Sequence, residues 1–198
     1  MLSDLQLALE PEVTYRRLVA EAAGPSWRRV AARLVLVALT FAVIVPIMAT
    51  HAVTIGLVLV SAAAWCFVPL VQAAMAFVAI APARGRSVNL ARAFELWFAG
   101  HLPYTAWLLL LPIVVRISQR LHFDLVIATL AGAIIWASIV EAAYCRVVLN
   151  ASPSAARVRV TAHQALMLTL VGAGVLWAAG GVAATFSSLA RMAAQVLG

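Results

Sequence analysis

The chain has 198 residues, of which 65% are apolar and only 11% charged, against roughly 45–50% and about 25% in soluble domains. A soluble fold of this length has nowhere to hide that much apolar surface, whereas a membrane protein uses lipid as the solvent for its outer face. The formal charge of +7 is carried entirely by arginine, with no lysine in the chain, and the arginines are spread through inter-span segments rather than gathered on one face, so nucleic acid is not an expected partner.

Residues 1–33 form a polar leader, too polar and too long for a cleaved signal peptide. Pro11, flanked by Glu10 and Glu12, suits a helix start. Val13, Leu18, Val19 and Ala22 give that short helix a loose apolar face, and Gly24-Pro25 should end it. The expected setting is a solvated helix lying on the membrane surface, with docking of a partner as the alternative. Trp27, Arg28, Arg29 and Arg33 then read as interface anchors.

Five apolar runs follow, at about 34–49, 53–81, 94–115, 125–148 and 165–190. They predict an all-α, polytopic membrane protein with five transmembrane helices behind a cytoplasmic leader. The second run exceeds the ~20 residues that a bilayer needs, so its helix is expected to be tilted, kinked or protruding, with Pro69 as the candidate kink and Gln72 one turn beyond it bonding a neighbouring helix or a freed carbonyl. The loop Ala83–Arg92 holds three arginines, and the third span should start nearer Phe94 than His101 because its apolar core is short. Arg157 and Arg159 continue the loop that contains Pro153. In the fifth span Gly172, Gly174, Gly180 and Gly181 are the candidate helix-packing positions, since small residues let backbones approach closely.

Five spans place the termini on opposite faces. Eleven arginines fall on the leader's side and three on the other. The positive-inside rule then gives an inner-membrane protein with a cytoplasmic N-terminus and a periplasmic C-terminus. The all-arginine, alanine-rich usage points to a GC-rich bacterial genome.

The candidate polar residues within the spans are Gln72, His101, Ser138, Glu141 and Tyr144. Glu141 is the most informative, because an ionisable group at membrane depth is expensive without a partner. Ser138, Glu141, Tyr144 and Cys145 share a helix face by i, i+3 and i+4 spacing; Arg92 or Arg146 is the candidate cation, although Arg146, five positions on, points elsewhere and would have to be reached from a different angle. His101 reads as an interfacial or packing residue, and His51, His122 and His163 as loop or boundary residues, which leaves no pair for haem or metal. Cys66 and Cys145 lack metal-type spacing and are expected to stay unpaired. Hydrolase, zinc-protease and phosphate-loop signatures are missing, so no catalytic residue, metal or cofactor is assigned.

The order of features resembles the Yip-domain family, the Rab/Ypt-interacting membrane proteins and their bacterial relatives. The resemblance rests on the leader segment PEVTYRRLV, the basic loop ARGRSVNLARAF, the turn Gly100-His101-Leu102-Pro103, and the late span IIWASIVEAAYCRVVLNASPSAARV. His101 stands where the family usually has an aromatic residue. The resemblance implies five spans and a non-enzymatic scaffold or interaction role, with a homo-oligomer or a membrane-protein partner. The other reading is a small oligomeric transporter or channel subunit with Gln72 and Glu141 in its path. Whether Gln72, Glu141 and Tyr144 face an open cavity or are sealed in protein separates the two.

Overall fold

The structure, a computed structural model, describes residues 2–21, 27–50, 52–81, 83, 86–118 and 123–178. Within them the chain forms helices only: α1 (Leu2–Leu9), α2 (Pro11–Ala20), α3 (Trp27–Thr50), α4 (Ile55–Trp65), α5 (Phe67–Ile80), α6 (Leu90–Ala99), α7 (Leu102–Ser118), α8 (Phe123–Val147) and α9 (Pro153–Ala178). Three apolar stretches, Trp27–Ile47, Ile55–Ile80 and Ala128–Val147, are long enough to cross a membrane. The other two of the five spans read from sequence are not matched by such a helix among the described residues. Exposed Val35, Leu36 and Leu39 on α3, Leu59, Val60 and Phe77 on α4–α5, and Ile135 and Ile139 on α8 form the apolar outer face, as expected of helices that meet lipid.

The second apolar run is two helices. The chain breaks at Cys66, three residues before Pro69, because a proline supplies no N–H to the preceding turn. Thr54 caps α4 by accepting from the Leu57 amide at 3.3 Å, and Ser61 ties α4 to α3 by donating to the Phe41 carbonyl at 3.3 Å. The stacked rings of Phe41 and Trp65, 5.7 Å apart, close the same hairpin.

The third run also breaks, against the continuous 94–115 span expected from sequence. Helix α6 ends at Gly100, and α7 starts at Leu102 with Pro103 in its first turn, the position where a missing amide hydrogen does no harm. Every residue of α6 from Ala91 to Ala99 is buried, so this helix lies inside the protein and not at an interface. Asn89 caps it by accepting from the Arg92 amide at 2.9 Å. Its two charged residues, Arg92 and Glu95, are buried and pair with each other: Arg92 Nη1 lies 3.0 Å from Glu95 Oε2.

The leader is not a free surface helix. Leu7, Ala8, Thr14 and Tyr15 are buried, Leu18 and Val19 pack against the core, and Val13, expected on the apolar face, is exposed. The buried stripe runs across both short helices at near-heptad spacing, so neither helix shows it when read alone. Side chains of the bundle hold the two helix C-termini, where backbone carbonyls lack partners. Trp136 Nε1 donates to the Ala8 carbonyl at 2.8 Å, and Arg92 Nη2 donates to the Leu18 carbonyl at 3.1 Å. Arg146 pairs with Glu12 at 3.0 Å, so this arginine serves the leader and not Glu141. The hydrogen bond from Arg16, with the Arg146 charge behind it, holds the Glu12 carboxyl below the usual carboxylate range. That contact is at full strength at neutral pH and is lost only as the pH falls through the lowered value.

The basic loop caps its neighbours. Arg86 Nη1 donates to the Ile80 and Ala81 carbonyls at 3.0 and 3.1 Å, closing the end of α5. Ser87 donates from its amide and its hydroxyl to the Val148 and Val147 carbonyls at 2.9 and 3.0 Å, closing the end of α8. The turn after α8 places Asn150 at φ 53°, a left-handed conformation that asparagine tolerates. Ser152 then accepts from the Ala155 amide at 3.3 Å, and Pro153 begins α9. Arg157 and Arg159 therefore lie on a helix, not in a loop, and α9 starts twelve residues before the expected span at 165.

Candidate functional site

Glu141 and His163 each lie eleven residues from Ser152, on opposite arms of the α8–α9 hairpin, which brings them face to face. His163 Nδ1 donates to Glu141 Oε2 at 2.9 Å. Oε1 is also 2.9 Å from Nδ1 but lies outside hydrogen-bonding alignment and has no partner. Gln164 Nε2 donates to the same Oε2 at 3.0 Å. The Tyr104 hydroxyl from α7 donates to Gln164 Oε1. Three helices thus meet in one chain of hydrogen bonds, Tyr104 to Gln164 to Glu141 to His163. The side chains of Glu141 and His163 are 10% and 7% exposed.

Aromatic rings enclose the cluster. Trp97 of α6 meets His163 edge-on at 4.9 Å and Tyr144 edge-on at 5.2 Å. His101, in the α6–α7 turn, donates from Nδ1 to the Trp97 carbonyl at 3.0 Å, and its ring lies 6.3 Å from that of His163. A cavity of about 20 Å³ is bounded by Gly100, His101, Glu141, His163 and their neighbours, room for a single water molecule by the usual volume criterion. His163 Nε2 and Glu141 Oε1 are both buried without hydrogen-bond partners beside it.

Of the candidate polar residues, His101, Glu141 and Tyr144 are brought together here. Tyr144 donates to the Ala93 carbonyl at 3.0 Å. Ser138, half-buried on the same helix, does not line the cavity. Gln72 is buried on α5 away from it, and its Oε1 has no hydrogen-bond partner. His163, read as a boundary residue because two arginines precede it, is a buried helix residue. The equal spacing of Glu141 and His163 about the Asn150–Pro153 turn was the signal that sequence reading passed over. Arg92, expected near Glu141, is bound to Glu95 instead. Among the packing glycines, a Cβ added at Gly172 would meet no atom of the described residues within 4 Å. Gly180 and Gly181 lie outside the described residues, as do the surroundings of Gly174. Cys66 is exposed and Cys145 buried, and both are free.

The glycine that matters is Gly100. A Cβ there would fall 2.6 Å from the Tyr15 hydroxyl, 3.2 Å from the Trp97 carbonyl oxygen and 3.3 Å from Val140 Cγ1. Gly100→Ala is expected to displace Tyr15 and to destabilise by about 1–3 kcal/mol, the range for overpacked sites. Thermal unfolding in detergent reads this directly, and an unchanged midpoint would show that Tyr15 is not seated there.

Among the described residues no group of three or more His, Cys, Asp and Glu side chains gathers as a metal site. No family profile, curated protein or solved structure matches the chain.

Proposed function

We propose that this is a five-span inner-membrane protein that acts as a non-enzymatic scaffold or interaction protein, as the resemblance to the Yip-domain family implies. The single observation that carries the scaffold reading over a transport reading is the small size of the cavity at the polar cluster. Glu141 and Tyr144 border a cavity of about 20 Å³, too small for more than one water, and Gln72 is not on it. A conduit needs polar residues in line along an open or openable path. Here Tyr104, Gln164, Glu141 and His163 bond to one another in a single chain across three helices, which is how buried polar residues fix the register of packed helices. Expected partners are the lipid bilayer and a second membrane protein or a further copy of this chain.

The remaining two spans are assigned to α7 and α9. Helix α7 has 17 residues, about 25 Å at 1.5 Å per residue, and crosses if the bilayer thins or the flanking arginines reach outward. Helix α9 runs to Ala178, and the sequence stays apolar beyond it.

Reporter fusions test the arrangement. Fusions after Arg86 and after Pro153 are expected to read cytoplasmic, and those near Arg120 and Gly198 periplasmic. A cytoplasmic Gly198 would mean that the number of spans is even and not five. Flux tests the scaffold role: vesicles carrying the protein should pass protons and small ions no faster than protein-free vesicles. A flux that Glu141→Gln abolishes would favour the transporter instead.

A further inference from the structure

We propose that helix α1 is immersed in the bilayer leaflet on the leader's side, with Leu5 and Leu9 packed against lipid acyl chains. The inference rests on the reading of this chain as a membrane protein and deepens it, since the first helix of the leader then lies in lipid and not in the cytoplasm. The leader has two faces with different neighbours. Leu7, Ala8 and Tyr15 are buried against the bundle, whereas Leu5 and Leu9 are 53% and 68% exposed. Four residues apart, these two leucines share the outer face of α1. Val13, in the first turn of α2, is exposed as well. Single exposed leucines are ordinary on any protein surface, and depth is what sets these apart.

Contacts with α8 fix that depth. Glu12, in the first turn of α2, pairs with Arg146 in the last turn of α8. Both side chains stay open enough to meet water or headgroups, being 39% and 42% exposed. The chain before Glu12 reaches further down α8, where Trp136 Nε1 donates to the Ala8 carbonyl at 2.8 Å. Trp136 precedes Arg146 by ten residues and lies near the middle of the apolar stretch Ala128–Val147. Ten residues of helix are about 15 Å long, and half of a hydrocarbon core of about 30 Å is the same distance. The C-terminal end of α1 is therefore within a tryptophan side chain's length of mid-depth. A helix lying on the surface buries its apolar face by only about 5–10 Å.

The surroundings make lipid the occupant of the outer face. Helix α1 packs on α7 as well as α8. Leu9, next to Ala8, and Ile135, next to Trp136, are the exposed neighbours of the Ala8–Trp136 contact, and Ile139 follows one turn on. The outer face of α1 thus continues the apolar face of α8 that meets lipid. The backbone is equipped for it too. A helix end in hydrocarbon must have its carbonyls satisfied from within the protein. The Glu10 amide donates to the Gln6 carbonyl at 2.8 Å, and the Trp136 indole supplies Ala8. The polar side chain of Gln6 is met by Arg17 Nη2, which donates to its Oε1 at 2.7 Å.

Nitroxide labels on the full chain in lipid nanodiscs test this. They are introduced through Leu5→Cys, Leu9→Cys, Leu36→Cys and Arg16→Cys, each with Cys66→Ala and Cys145→Ala so that no other thiol reacts. Leu36 is exposed on the outer face of α3 and Arg16 is exposed on α2, so they serve as the lipid and water references. Labels at Leu5 and Leu9 should be relaxed by oxygen and shielded from a water-soluble nickel chelate as at Leu36. Their oxygen-to-nickel ratio should exceed that at Arg16 severalfold. Nickel access at Leu5 and Leu9 with Leu36 shielded would place α1 in water or at the surface, overturning the proposal while the membrane reading stands. Nickel access at Leu36 as well would overturn both. Shielding of Leu5 and Leu9 from oxygen and nickel alike would mean that protein covers them, a second copy of this chain or another partner, and would also overturn the proposal. The unsubstituted chain gives an independent reading. A photoreactive acyl-chain lipid in the same bilayer should label the tryptic peptide of residues 1–16 along with the segment after Arg33. Labelling of that segment without residues 1–16 would again remove α1 from the lipid.

Discussion

Replacing Arg92 with alanine is expected to destabilise the protein by about 3–5 kcal/mol, the usual loss when one partner of a buried ion pair is removed. Arg92 and Glu95 have side chains only 7% and 6% exposed. The second partner of Glu95, Arg29 at 2.9 Å, is 52% exposed and cannot shield it as well. The same substitution removes the donor that holds the Leu18 carbonyl at the end of α2, so the leader should loosen together with the core. Urea or thermal unfolding in a mild detergent gives the size of the effect. Removing Glu95 as well should recover part of the loss, because no unpaired carboxylate is then left inside. Equal stability of wild type and Arg92→Ala would show that α6 is not buried as described.

Tyr15→Ala should be comparably damaging, again about 3–5 kcal/mol by analogy with other truncations of large buried aromatic residues. Tyr15 is fully buried, its ring meets Tyr144 edge-on at 5.6 Å, and its hydroxyl donates to the Leu96 carbonyl at 3.4 Å. Burial pushes the hydroxyl's pKa up, so it remains a donor at every ordinary pH. Tyr15→Phe keeps the ring and gives up one long hydrogen bond, so it should cost no more than about 1 kcal/mol. A protease acting on the purified protein should cut the first 26 residues much faster in Tyr15→Ala than in wild type or Tyr15→Phe. Identical cutting in all three would return the leader to the membrane surface.

Both substitutions act where the sequence was hardest to read. Its long apolar runs determined that the chain forms helices, three of them long and apolar enough to cross a membrane. The prolines also carried information: Pro69 and Pro103 mark the two places where an apolar run is really two helices, since each lacks the amide that the preceding turn needs. Glu141 was recognisable as expensive from its depth in an apolar run. Its partner was not, because Arg157 and Arg159 made the segment before His163 look like a loop. Only the α8–α9 hairpin, closed at Asn150–Pro153, sets which residues of its two arms meet. The burial of α6 and of the leader was equally a decision of the tertiary structure. Arg92 and Glu95 become tolerable inside only as a pair. The stripe from Leu7 to Val19 is apolar enough to bury only when α1 and α2 lie together against the bundle, where Trp136 of α8 and Arg92 of α6 supply the donors that their helix ends lack.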